Sequence, residues 1–154
     1  MKSELIAPCG MDCSICSAYL AFSNAIPKKR GAISHCIGCR PRNKQCVFLK
    51  GHCSTLRRGK VEFCFQCRRF PCNRLSHLDR RYRRDYGMSL IRNLEEIRSV
   101  GVAAFVRRQA ARYSCARCGR RISVHNKQCF VCDKVAHWKK PACAKGRRGG
   151  TAPK

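Results

Sequence analysis

The chain has 154 residues, of which 15 are cysteine, and its 34 Lys and Arg against 8 Asp and Glu give a formal charge of +26. No apolar run approaches membrane-span length, and the apolar stretch before Pro8 is too short for the core of a signal peptide, so a reducing cytoplasm is the expected compartment. So many thiols require a disulfide or a metal scaffold; the Cys-x-x-Cys unit recurs at 13/16, 36/39, 64/67, 115/118 and 129/132, and the cysteine total is odd, which points to metal.

Residues 1–74 read as a ten-cysteine metal-binding module carrying Cys9, Cys13, Cys16, Cys36, Cys39, Cys46, Cys53, Cys64, Cys67 and Cys72. Ser17 to Ala25 is expected to form a short helix, and the rest to be loops that lean on metal. Structural zinc supplies roughly 10 to 16 kcal/mol of apparent binding energy in modules with so small a core. A sequential division puts Cys9, Cys13 or Cys16, Cys36 and Cys39 in one four-thiolate site and Cys46, Cys53, Cys64 and Cys67 in another. Cys72 and one early cysteine are then left over. Interleaved pairing is equally compatible with the spacing, and His35 or His52, each next to a cysteine, is a candidate fourth ligand. Cys9, Cys13 and Cys16 also have the Cys-x-x-x-Cys-x-x-Cys spacing that holds an iron-sulfur cluster in radical-SAM enzymes. Those enzymes embed the triplet in a large β/α barrel, for which this chain has neither the length nor the pattern. A compact iron-sulfur site at the N-terminal cysteines stays as the alternative to zinc.

Residues 75–113 contain no cysteine and read as helices. Leu75, Leu78, Tyr82 and Tyr86 share one face, and Gly87 is a C-terminal stop. Ser89 caps a second helix with Leu90, Ile91, Leu94 and Ile97 inward. Gly101 interrupts it, and a third helix presents Val102, Phe105, Val106 and Tyr113. Arg80, Arg81, Arg83 and Arg84 crowd the outer face of the first helix. With Tyr82 and Tyr86 they are candidates for phosphate contact and base stacking. The competing reading makes the tyrosines core and the arginines a solvated face.

Residues 114–133 read as a zinc ribbon. Cys115, Cys118, Cys129 and Cys132 form two Cys-x-x-Cys knuckles ten residues apart, which place four soft ligands about one tetrahedral ion and leave no position open for substrate. Gly119 and Asn126–Lys127 supply the turns, and His125 is expected at the surface. Residues 134–154 read as a flexible basic tail, in which Lys139 and Lys140 beside Trp138 are further candidate nucleic-acid contacts and Cys143 is a spare thiol.

The opening Ile6-Ala7-Pro8-Cys9-Gly10-Met11-Asp12-Cys13-Ser14-Ile15-Cys16, then Cys36-Ile37-Gly38-Cys39, then Phe63-Cys64-Phe65-Gln66-Cys67-Arg68-Arg69-Phe70-Pro71-Cys72, resemble the prokaryotic family called domain of unknown function 3795. Leu78 to Arg83, Tyr86 to Ile91 and Asn93-Leu94 resemble its branch with a helical segment and an added C-terminal ribbon. The resemblance implies a cytoplasmic zinc-binding protein and names no reaction.

The expected architecture is a small, metal-stabilised α+β protein: a multi-knuckle module, three helices, a ribbon and a tail. The acidic residues pair no general acid with a base and there is no Gly-rich phosphate loop, so a binding or adaptor role is expected over an enzyme. If about three zinc ions bind twelve thiolates, a charge of about +20 remains, which favours nucleic acid or an acidic protein as partner. The alternatives are an iron-sulfur or redox protein and a protein-interaction scaffold.

Overall fold

The computed structural model describes residues 3–28, 33–41 and 51–135. Cys46, Trp138, Lys139, Lys140, Cys143 and the expected tail from residue 136 onward lie outside the described residues. Among the described residues four α-helices follow one another: α1 (Ser17–Ser23), α2 (Ser54–Arg57), α3 (Asn73–Tyr86) and α4 (Leu90–Arg112). Single 3-10 turns occupy Ser3–Leu5, Cys13–Ile15 and Cys64–Gln66. The fold is thus small, cysteine-rich and helix-rich. Of the expected β component, the described residues contain three isolated antiparallel bridges, Ile6 with Asp12, Ser114 with Arg121 and Ile122 with Cys129.

The helices follow the apolar period. Leu75 and Leu78 of α3 and Leu90, Leu94 and Ile97 of α4 are buried. α3 ends at Gly87, whose N–H reaches Arg83 O at 3.1 Å while Met88 N–H reaches Tyr82 O at 3.4 Å. Ser89 Oγ then accepts the Arg92 N–H at 3.1 Å and starts α4. The corner is held by Asp79, a buried carboxylate that accepts from Ser89 Oγ (2.7 Å) and Ile91 N (3.0 Å) and pairs with Arg83 Nε (3.0 Å). Within α4, Gly101 has φ 79° and ψ 162°, a conformation essentially confined to glycine, so the element is two helical stretches joined by a kink. Phe105 and Val106 beyond the kink return to the core.

One apolar cluster takes residues from the whole described length. Leu5, Ile6, Ala7 and Ile15 meet Leu56, Phe63, Leu75, Leu90, Leu94, Phe105 and Val124. Gly10 sets how closely the N-terminal loop approaches α4: at φ 83°, a Cβ there would lie 2.7 Å from Leu90 O and 2.9 Å from Leu94 Cγ. Asn93 Nδ2 donates to Gly10 O at 2.9 Å in the same buried contact. A second cluster joins Leu20, Ala21 and Ile33 to Phe130 of the second C-terminal knuckle and to Val135 just beyond it.

Candidate metal centre

The two C-terminal knuckles are folded by their own backbone. Cys115 N–H donates to Arg120 O (2.7 Å) and Gly119 N–H to Cys115 O (2.7 Å), closing the first; Asp133 N–H donates to Cys129 O (2.9 Å), closing the second. Asp133 Oδ2 accepts the Cys129 N–H at 2.8 Å, and its carboxylate also pairs with Arg117 of the opposite knuckle, so the two halves are tied across. The four Sγ atoms of Cys115, Cys118, Cys129 and Cys132 all lie within 4.8 Å of one another. Cys115 Sγ to Cys132 Sγ is 4.0 Å and Cys118 Sγ to Cys129 Sγ is 3.5 Å. Sulfur atoms about 2.3 Å from a tetrahedral zinc stand about 3.8 Å apart, a spacing that these two separations bracket.

The thiols are divided in proton affinity. The Arg117 backbone N–H beside Cys115 holds its thiol down at about 6, while the Cys118 thiol, ahead of burial, pushes Cys132 up to about 12. A cation at the centre would displace the protons these sulfurs share. Four protein sulfurs would saturate a tetrahedral ion and leave no position open to substrate, the ligand pattern of a structural site.

The structure distributes the N-terminal cysteines over two places. Cys39 N–H donates to Cys13 Sγ at 3.4 Å, and Gly38 N–H donates to Cys36 Sγ at 3.4 Å. The Cys39 thiol, then burial, drives the Cys13 thiol far up; burial raises Cys16, which also feels Cys36 and Cys39. Cys13, Cys16, Cys36 and Cys39 therefore share one neighbourhood. Cys53, Cys64, Cys67 and Cys72 line a different cavity, with His52 at its edge. His35 packs edge-on against Phe22, and its buried Nε2 has no hydrogen-bond partner among the described residues.

His125 corrects the sequence expectation of a surface histidine. It is buried, 8% exposed, and its Nδ1 accepts from Ser17 N at 3.2 Å beside Ser17 Oγ at 3.0 Å. Its Nε2 faces Tyr82 Oη at 3.5 Å, and the Tyr86 ring lies edge-on at 4.7 Å. The loop between the knuckles is thus a plug: Val124 N–H donates to Ile15 O at 2.9 Å, and Lys127 Nζ reaches Tyr86 O at 2.6 Å. An amphipathic period finds helix faces but carries no trace of a loop inserted between distant elements, which is why the sequence reading missed this one. Tyr82 and Tyr86 are half-buried members of this cluster, which favours the packing reading of the two that the sequence leaves open. Arg80, Arg81, Arg83 and Arg84 are all exposed; Arg83 pairs with Asp79 and Arg84 with Asp85.

Residues 5–77 match the model of the family described as "Protein of unknown function (DUF3795)". The resemblance carried by the N-terminal motifs stands on that stretch, and the ribbon lies beyond it. A search of curated proteins and a search of solved structures each returned no match.

Proposed function

We propose that this chain is a zinc-dependent binding module that docks a nucleic acid on its basic helical surface. What supports this reading is how the few carboxylates are used. Asp12 is buried and accepts the Ser14 N–H at 2.8 Å, Asp79 is buried at the α3–α4 corner, and Asp133 is tied into the ribbon. Glu62, Asp85 and Glu96 pair with Arg40, Arg84 and Arg108. Little negative charge is left to oppose the exposed Arg80, Arg81, Arg92, Arg98, Arg107 and Arg112 of α3 and α4. Such a surface gathers phosphates through counterion release and reads no sequence by itself. Zinc at Cys115, Cys118, Cys129 and Cys132 would hold the plug against α3 and so keep that surface in shape.

The test is binding of a short RNA and a short DNA duplex as salt is raised. Six to ten phosphate contacts would cost about 10³ to 10⁵ in affinity between about 50 and 200 mM salt. Arg80→Ala with Arg81→Ala should weaken binding on every sequence alike and lower the salt slope by about 2. No binding at low salt would end the proposal, and capture of an acidic protein that survives nuclease would assign the surface to that partner instead.

A further inference from the structure

We propose that α1 carries a stacking platform for single-stranded nucleic acid, on which the rings of Tyr19, Phe22 and His35 take unpaired bases while Arg120, at the adjoining cleft, takes phosphate. The proposal rests on the nucleic-acid reading above and adds the form of the strand and a second contact site, away from the arginines of α3 and α4.

The rings form a row. Tyr19 and Phe22 stand three residues apart and share a side of α1, with ring centroids 6.3 Å apart; the centroids of Phe22 and His35 are 6.4 Å apart. Their planes are tilted by 54° and 75°, so no ring lies flat on the next. Leu20 and Ala21, between the two aromatic residues in sequence, are buried against Ile33 and Phe130 and anchor the helix. Cys36 N–H donates to Ala18 O at 3.0 Å, which holds the segment bearing His35 beside α1.

The row opens on a cleft. Among the described residues three large hydrophobic side chains are exposed, Phe22 (46%), Ile37 (44%) and Val131 (46%). Phe22 is the middle ring, and Val131 lines, with Tyr19, a cleft of about 400 Å³ between α1 and the C-terminal knuckles. A single exposed apolar residue needs no explanation, but two of the three at one place, in a chain of charge +26, mark a contact surface. Charge says with what. Arg120 and Arg121 line this cleft and no carboxylate does. Arg121 Nη1 donates to Ala110 O at 2.7 Å and is held to the wall, whereas Arg120 is exposed and placed to meet a phosphate. Ser23 and Asn24 on the same wall offer hydroxyl and amide groups to base edges. Carboxylates of a protein partner would also suit Arg120; three rings in sequence favour bases, since every base has a face to stack.

A duplex hides those faces. Charge alone favours the duplex, whose phosphates are denser along the axis, so a preference for the single strand reads stacking rather than charge. The test titrates the full chain with labelled oligouridylate and with its duplex with oligoadenylate of the same length, at one low salt concentration. The single strand should bind tighter. Phe22→Ala, at a half-exposed position, should weaken the single strand about 5-fold or more and leave the duplex unchanged. Arg80→Ala with Arg81→Ala should weaken both alike. In the unaltered chain, irradiation of a strand carrying 5-iodouracil should give adducts at Tyr19, Phe22 or His35 by mass spectrometry, a readout that needs no variant to fold. Equal or tighter duplex binding, or adducts confined to α3 and α4, would overturn the platform and leave the basic surface standing. Failure of both nucleic acids would end both, and Phe22-dependent capture of an acidic peptide in their place would give the row to a protein partner.

Discussion

Burial, ahead of the nearby charges of Lys127 and Arg81, holds the proton affinity of His125 down at about 4 against an ordinary 6.5. The folded pKa is therefore depressed, and the unfolded chain binds the extra proton between those values. The contribution is complete above about pH 6.5 and is lost as pH falls towards 4, up to about 3 kcal/mol. Acid also competes for thiolates, so the comparison is between parent and variant at each pH. His125→Phe should cost about 1 to 3 kcal/mol at pH 7, because the buried Ser17 N–H loses its acceptor, and should flatten the fall between pH 6.5 and 4. Thermal melts across that range check both. Gly10 makes the same point with geometry: Gly10→Ala puts a Cβ on Leu90 O at an unfavourable φ, and a loss of more than about 2 kcal/mol is expected in urea unfolding. Neither residue was legible from sequence. A lone histidine and a glycine after a cysteine fit many bland roles, and what fixes these two is contact with residues 108 and 80 or more positions away.

At the scale of elements, α3 and α4 were legible because the 3.6 period, the Ser89 cap and the Gly87 stop all agree. So was the break at Gly101, since glycine in the middle of an apolar period weakens a helix unless its backbone is needed elsewhere. What the period could not supply was the angle between the helices. That depends on Asp79, whose carboxylate serves the first turn of the next helix, and Asp79→Ala would strand the Ile91 N–H and leave Arg83 without its pair. A cost of about 2 to 3 kcal/mol is expected from urea midpoints, with helix content in the folded state preserved. The C-terminal cluster was legible as four thiols able to share one ion, because Cys-x-x-Cys spacing encodes a local geometry. Its docking was not, because Ser123 to His125 carry no motif and are buried only once Ile15, Ser17 and Tyr82 surround them. Cys118→Ser should therefore do more than empty one site: loosening the knuckles should release the plug and raise hydrogen exchange at Val124, whose N–H is held by Ile15 O.

For the whole molecule, the apolar cluster is shared by the N-terminal loops, the helices and the plug; Cys9, Cys13 and Cys64 are buried in it, and Cys16, Cys39, Cys53 and Cys72 pack against it. The loops around those thiols have few regular backbone bonds of their own, so a core of this size depends on its staples. On the function proposed above, metal at the C-terminal four cysteines would be the chief such staple. The most direct measurement is the thermal melt of the chain with zinc added and again after chelation. The account predicts that chelation lowers the midpoint sharply and that added zinc restores it, and that Cys118→Ser abolishes part of this response. An unchanged midpoint with and without metal, in a protein that still folds, would contradict it.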